Sequence, residues 1–257
     1  MSVHTPLEEP RGPPAANPAV ASPVIASLFP AAVAAAELRV PGDPCMLERE
    51  EAAAVARAVE RRVREFAAGR LCARRALERF GVTRVVLRAA RDRQPVWPAG
   101  FLGSITHTEG FCAAVAAERS ALEGLGLDSE AAGAVKAQLW PSICVASELD
   151  WMSQWPAEAR SRAATLVFAA KEAFYKAQYP RTGEFMSFSD LVVSPCGPQA
   201  LEGSLSFEPT RSLAVLAGGA ERQVRARYRF HEGLVSVGVA LCAARVTLDP
   251  AGRRTAD

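Results

Sequence analysis

Apolar positions recur along this chain at two periods, three-to-four and two, and the alternation between them predicts its elements. From Met46 to Phe80 the apolar residues are spaced helically among charges, giving two expected helices, Leu47–Val59 and Glu60–Phe80, the second stopped by Gly81. Val82–Leu87 is rich in β-branched residues and reads as a strand, followed by a proline-rich loop, Arg91–Pro98. Phe111–Ala117 is the uninterrupted apolar run of a strand buried on both faces. In Gly124–Glu130, Leu125, Leu127 and Ser129 alternate with Gly126, Asp128 and Glu130, so a strand here carries both carboxylates on one face. A further helix is expected from Ala157 to Tyr179, with Pro180 as its end. Strands follow at Phe188–Val193, Gly203–Phe207, Val224–Phe230 and Leu234–Cys242, the last two joined by a Glu232-Gly233 turn, while Ile25–Leu38 supplies the first strand and turn.

The length of 257 residues allows one large domain or two small ones with a sizeable core. A hydrophobic fraction of 49% with 23% charged residues is ordinary globular composition. A net charge of +2 gives no bulk affinity for nucleic acid, so any anion site must be a local basic cluster. Cys45, Cys72, Cys112, Cys144, Cys196 and Cys242 are scattered without a C-x-x-C pair, which reads as reduced thiols rather than a disulfide framework or a zinc site. Neither a signal-peptide pattern nor an apolar run approaching about 18 residues is present, so the expected location is cytoplasmic, with no membrane contact. Residues 1–23, rich in Pro and Ala, are expected to form a flexible tail, and residues 247–257 a loose polar one.

Candidate chemistry concentrates in Thr165–Pro180, which puts charge into a segment otherwise composed like a buried helix. Glu172 and Lys176 are four apart and share one helix face, with Lys171 about 100° round from Glu172. Asp128, Glu130 and Glu172 are three carboxylates from a strand and a helix, a set able to hold Mg²⁺ against a phosphate-bearing substrate. The helix Glu60–Phe80 carries Arg61, Arg62, Arg64, Arg70, Arg74 and Arg75; Arg62 and Arg70, eight apart, reach the same side. The ordinary role of such residues is a solvated face, yet their density makes an anionic ligand worth testing. His107 follows small hydroxyl and Gly residues that suit a phosphate contact. Trp140, Trp151 and Trp155, with Arg160 and Arg162, suggest a partner surface, against core packing as the default for Trp.

Five motifs in order then carry a resemblance: Glu65-Phe-Ala-Ala-Gly-Arg-Leu-Cys-Ala-Arg-Arg-Ala-Leu77, Gln94-Pro-Val-Trp-Pro-Ala-Gly100, Gly103-Ser-Ile-Thr-His107, Gly126-Leu-Asp-Ser-Glu130 and Phe168-Ala-Ala-Lys-Glu-Ala-Phe-Tyr-Lys-Ala177. Over residues 46–245 the chain resembles the Sfp-type 4'-phosphopantetheinyl transferases, in the branch that includes the siderophore-synthesis enzymes. The resemblance implies an α/β (α+β) fold of two pseudo-twofold subdomains, 24–123 and 124–246, each a small antiparallel sheet packed on a long helix, in a monomer. It implies transfer of the phosphopantetheine arm of coenzyme A to a serine of an apo acyl or peptidyl carrier protein, releasing 3',5'-ADP, for siderophore, polyketide, nonribosomal peptide or fatty acid synthesis. Asp128, Glu130 and Glu172 would bind Mg²⁺, with Asp128 also facing the coenzyme; Glu172 would accept the serine proton, and Lys176 would stabilise the leaving oxygen. Arg62, Arg70, Thr106 and His107 would hold the 3'-phosphate, and Lys171 would contact the coenzyme. Where relatives carry Gly-Lys-Pro or Gly-Glu-Pro, this chain has Arg93-Gln94-Pro95, so either Arg91 or Arg93 would be the cation near the adenine. The competing readings are another Mg²⁺-dependent phosphoryl or pyrophosphate hydrolase, and a non-catalytic carrier-binding module.

Overall fold

The computed structural model describes residues 20–39, 41–196, 200–216, 223–242, 247–248 and 254–255. Its first half contains β1 (Val20–Ala21), α1 (Pro23–Ala26), β2 (Ala34–Leu38), α2 (Arg49–Ala54), α3 (Glu60–Glu78), β3 (Phe101–Thr108) and β4 (Phe111–Glu118). The second contains β5 (Gly124–Ala131), α4 (Trp140–Ile143), α5 (Ala146–Ser153), α6 (Arg160–Thr182), β6 (Leu191–Cys196), β7 (Glu202–Pro209), β8 (Val224–His231) and β9 (Leu234–Leu241). Both sheets are antiparallel, ordered β1-β2-β4-β3 and β5-β9-β8-β7-β6. In each half the strand before the long helix pairs with the last strand of the half, which pairs in turn with its own hairpin partner. The order β2-α3-β3-β4 is thus repeated as β5-α6-β8-β9.

Each long helix covers one face of its sheet. Leu71, Cys72 and Leu77 of α3 pack on Leu38, Ala114 and Ala116, and Leu166, Ala173 and Phe174 of α6 pack on Val235, Val237 and Val239. The opposite faces meet in a third apolar layer, where Phe111, Ala113 and Val115 lie in one cluster with Leu125, Leu127 and Ala240. β4 is therefore buried on both sides, as its unbroken apolar run requires, and β9 likewise. The edges β3 and β5 are joined by hydroxyls: Leu127 N–H donates to Ser104 Oγ at 3.0 Å and Ser129 N–H to Thr106 Oγ1 at 2.9 Å. Two hydroxyls at a spacing of two residues thus satisfy the outward donors of an edge strand that faces another edge.

Several expectations change. Val82–Leu87 joins no ladder: Leu87 N–H donates to Glu51 at 2.8 Å and Leu87 C=O accepts from Arg70 Nε at 2.7 Å, so side chains take the place of a neighbouring strand. α6 runs through Pro180 to Thr182 and is ended by Gly183 at φ 65°, the left-handed conformation that glycine adopts without strain. The Leu47–Val59 helix shrinks to α2, and Phe188–Asp190 is a 3₁₀ turn before β6. Glu232 and Gly233, at φ 45° and 77°, make the expected hairpin turn. Most of the 1–23 tail lies outside the described residues. Of 247–257, Thr247–Leu248 and Arg254–Thr255 are described, as a short antiparallel pair.

Candidate active site

The acidic strand and the charged helix come together because β5 has no side chains where α6 crosses it. A Cβ on Gly126 would stand 1.9 Å from Ala173 O, and one on Gly124 2.4 Å from Ala177 O. This approach lets Lys176 reach across. Its Nζ donates to Asp128 Oδ1 at 2.6 Å and to Leu127 O at 3.2 Å. Thr106 Oγ1 lies 3.4 Å from the same carboxylate oxygen, and Asp128 Oδ2 is buried with no partner among the described residues. Burial and the neighbouring Asp128 and Glu172 carboxylates push Glu130 up to about 7, and burial together with Asp128 raises Glu172 as well. Three hard oxygen donors from one strand and one helix, one of them with a buried oxygen unbonded among the described residues, suit a hard divalent cation. Among the described residues no three such groups already stand at metal-ligand spacing, and Lys176 is bonded to Asp128.

Two clefts share Tyr175 as a wall, one reaching Lys176 and the other Lys171 and Glu172. One, of about 410 Å³, is walled by Gln94, Pro95, Trp97, Leu102, Tyr175 and Lys176; the other, of about 400 Å³, by Glu172, Tyr175, Phe185, Met186 and Phe188. Beyond β3, Arg62 Nη1 lies 2.5 Å from His107 Nε2, which must accept, so the ring is neutral. Burial and then the Arg62 charge lower the His107 pKa, in keeping with that state. Arg70 lies beneath, stacked on Phe66 with 3.9 Å from guanidinium carbon to ring centroid. Burial lowers its pKa to about 10, and its Nη2 has no partner among the described residues.

A model of the 4'-phosphopantetheinyl transferase N-terminal domain matches residues 50–117, and one of the 4'-phosphopantetheinyl transferase superfamily matches residues 124–226. The chain is 35% identical over 226 residues to 4'-phosphopantetheinyl transferase Svp of Streptomyces mobaraensis, covering 86% of this chain and 90% of that protein. The chain belongs to the 4'-phosphopantetheinyl transferase family. It is also 31% identical over 226 residues to 4'-phosphopantetheinyl transferase PptT of Mycobacterium tuberculosis, with 85% and 98% covered. Over 137 residues, 52% of each chain, it is 36% identical to enterobactin synthase component D of Salmonella typhi.

For a phosphopantetheinyl transferase, four of the residues expected to hold ligand stand elsewhere or are otherwise engaged. Lys171 is buried and donates to Glu148 Oε2 at 2.7 Å, Phe188 O at 2.8 Å and Ile143 O at 2.9 Å, so its three N–H groups are spent on the fold. Thr106, at 2% exposure, gives its oxygen to β5 and presents none of it to a phosphate. Arg93 sits at φ 71° on the tip of its turn; neither it nor Arg91 lines the cleft, whereas Asp92 and Gln94 do. The Trp140, Trp151 and Trp155 rings are half-buried against Ile143, Met152 and Val167, with Trp151 edge-on to Trp155 at 5.3 Å, so packing holds one side of each. Arg160 bonds the carbonyls of Trp155 and Ser153, and Arg162 lies over the Phe230 ring. Sequence reasoning missed Glu51 and Glu148, which look like surface residues until the fold buries them. It also gave no role to Gly124 and Gly126, although a Gly-x-Gly within a strand is itself a sign of close backbone approach.

Proposed function

We propose that this chain moves the 4'-phosphopantetheine arm of coenzyme A onto a serine hydroxyl of an apo carrier protein, with Mg²⁺, as a cytoplasmic monomer. The observation that carries this reading is the Lys176–Asp128 contact, 2.6 Å long, with Glu130 and Glu172 beside it and two clefts that share Tyr175 as a wall. A coenzyme with a pyrophosphate between two unlike arms matches that layout. The flat, partly aromatic 410 Å³ cleft suits the adenosine end and the 400 Å³ cleft, with Phe185 and Met186, suits the pantetheine arm.

Asp128, Glu130 and Glu172 would hold Mg²⁺, which when bound offsets charge on the pyrophosphate. Lys176 is placed to exchange its carboxylate partner for a phosphate oxygen and to neutralise 3',5'-ADP as it leaves. The serine oxygen bonds to the phosphorus carrying the pantetheine arm, the bond from that phosphorus to the bridging oxygen breaks, and the serine proton passes to Glu172. The raised proton affinity of Glu172 suits it to that acceptance. Arg62 and His107 would front the 3'-phosphate, and Arg70 would support them from below with a guanidinium that has one buried N–H unbonded among the described residues. The core of the two sheets sets the spacing of these groups, which come from both halves of one chain.

The test is incubation with coenzyme A, Mg²⁺ and an apo carrier protein, read by mass spectrometry. The carrier is expected to gain the phosphopantetheine mass. Asp128→Ala is expected to stay folded, because it removes an unsatisfied buried oxygen, and to lose nearly all transfer. Cleavage of coenzyme A without carrier modification would point to a hydrolase, and normal turnover by Asp128→Ala would place the site wrongly.

A further inference from the structure

The loop before β3 presents one side-chain amide to the 410 Å³ cleft, and its orientation is fixed. Gln94 Nε2 donates to Asp92 Oδ2 at 2.5 Å, while Asp92 Oδ1 accepts the Gln94 backbone N–H at 3.2 Å. The left-handed turn at Arg93, φ 71°, brings Asp92 and Gln94 together on the cleft side. A carboxylate only accepts, so the amide must turn its nitrogen toward Asp92. That leaves Oε1 and the second N–H of the same amide for the cleft, an acceptor beside a donor. No described residue bonds Oε1.

The other polar side chains of this cleft hold no fixed acceptor beside a donor: the Tyr175 and Tyr179 hydroxyls each donate or accept by rotation and so do not discriminate. Ser104 Oγ takes the Leu127 N–H, Arg181 pairs with Glu123, and Arg119 and Lys176 are donors only. The walls between them, Pro95, Trp97, Leu102 and Leu125, are apolar and suit a flat ring. An acceptor beside a donor is the complement of the amidine edge of an aminopurine, whose exocyclic amine donates and whose adjacent ring nitrogen accepts. A 6-oxopurine reverses both polarities. A free glutamine would answer by rotating its amide, but here rotation would set Oε1 against the Asp92 carboxylate.

We infer that Gln94, locked by Asp92, is the specificity-determining residue that makes this enzyme read adenine in its coenzyme and reject a 6-oxopurine in the same place. This rests on the coenzyme A reading above and names the group that enforces the identity of the base. Asp92 acts through Gln94 as a positioning residue.

The experiment compares coenzyme A with its analogue carrying hypoxanthine in place of adenine, by kcat/KM for carrier modification and by calorimetric titration without carrier. Wild type is expected to prefer coenzyme A by roughly ten- to a hundredfold, as befits a site built to hydrogen-bond its substrate. Asp92→Asn frees the amide to rotate, because an asparagine can donate as well as accept. Its preference is expected to fall to about threefold or less, and Gln94→Leu should behave alike. Both positions lie on an exposed turn, so folding is not at stake, and thermal melting checks this. Equal use of both coenzymes by wild type, or an unchanged preference in Asp92→Asn, overturns the inference while leaving the transferase reading intact. Binding of neither coenzyme by wild type overturns both.

Discussion

Replacing Lys171 by methionine separates a structural lysine from a coenzyme ligand more sharply than any other change. Lys171 is 3% exposed at its side chain and Glu148 is 1% exposed, and the 2.7 Å bond between them ties α6 to α5. The same ammonium reaches Ile143 O and Phe188 O, while the Glu148 carboxylate accepts the N–H groups of Val145 at 2.8 Å and Val193 at 2.7 Å. One ion pair thus joins α4, α5, α6 and β6. Methionine matches the length of the stem but leaves a buried carboxylate without its cation and two carbonyls without a donor. Breaking a buried pair from one side costs about 3–5 kcal/mol, which for a chain of this size lowers the melting temperature by roughly 10 °C. Urea unfolding of Lys171→Met beside wild type measures the loss. The Michaelis constant for coenzyme A, taken well below the melting point, is expected to stay within about threefold, since all three N–H groups of Lys171 are bonded within the fold although the residue borders the 400 Å³ cleft. A variant as stable as wild type with a tenfold weaker grip on coenzyme A would refute the argument and restore Lys171 to the ligand set.

Glu130, raised to about 7 from 4.5, favours the folded state while protonated, so that contribution is complete below 4.5 and is lost as pH rises through about 7. In chelator, thermal melts are expected to show this decline, and added Mg²⁺ to remove it; identical melts with and without Mg²⁺ near pH 7.5 would contradict the metal assignment. Gly126→Ala should unfold the chain or cost several kcal/mol, because its Cβ would stand 1.9 Å from a helix carbonyl that cannot move alone, and a soluble variant with native circular dichroism would argue against the close crossing. Trp151→Ala is expected to lower stability by roughly 3 kcal/mol through a core cavity; a loss of carrier affinity at unchanged stability would return this ring to a partner surface.

Much of the architecture was legible because period and burial agree. The doubly apolar run Phe111–Ala117, the alternation across Gly124–Glu130 and the positive-φ turn at Glu232-Gly233 each determine an element by local chemistry. Val82–Leu87 was misread because β-propensity measures fit to a neighbouring strand, and the neighbour here is a pair of side chains, Glu51 and Arg70. Pro180 misled for a similar reason. A proline lacks one donor and crowds the turn behind it, but α6 is packed along most of its length, and Gly183 three residues later supplies the conformation that ends it. The positions of Asp128, Glu172 and Lys176 on their faces were readable from spacing, yet their meeting depends on Gly124 and Gly126, whose lack of a side chain is the feature hardest to weigh in one sequence.

The arginine-rich helix shows why a face can be read when a partner cannot. Spacing puts Arg62, Arg70 and Arg74 along α3, but each has a different fate set by residues distant in sequence. Arg74 meets Glu51 at 2.8 Å inside the core, Arg64 and Arg75 pair with Glu60 and Glu78 on the surface, and Arg62 leans on His107. Arg70 is the one left with a buried N–H and no bonded counter-charge: the Glu51 carboxylate acts on it from a distance but is itself bonded to Arg74, and Arg62 and Arg74 oppose it. A cation in that state is costly to the fold, a cost that the Phe66 face and the Leu87 carbonyl offset in part and an anion would offset further. Arg62 stands in front of it with a neutral imidazole as partner rather than a carboxylate alone, so the local charge stays positive toward solvent. The proposed coenzyme, with a phosphate facing Arg62 and a pyrophosphate at Lys176, would give both groups an anion that the chain itself supplies only in part.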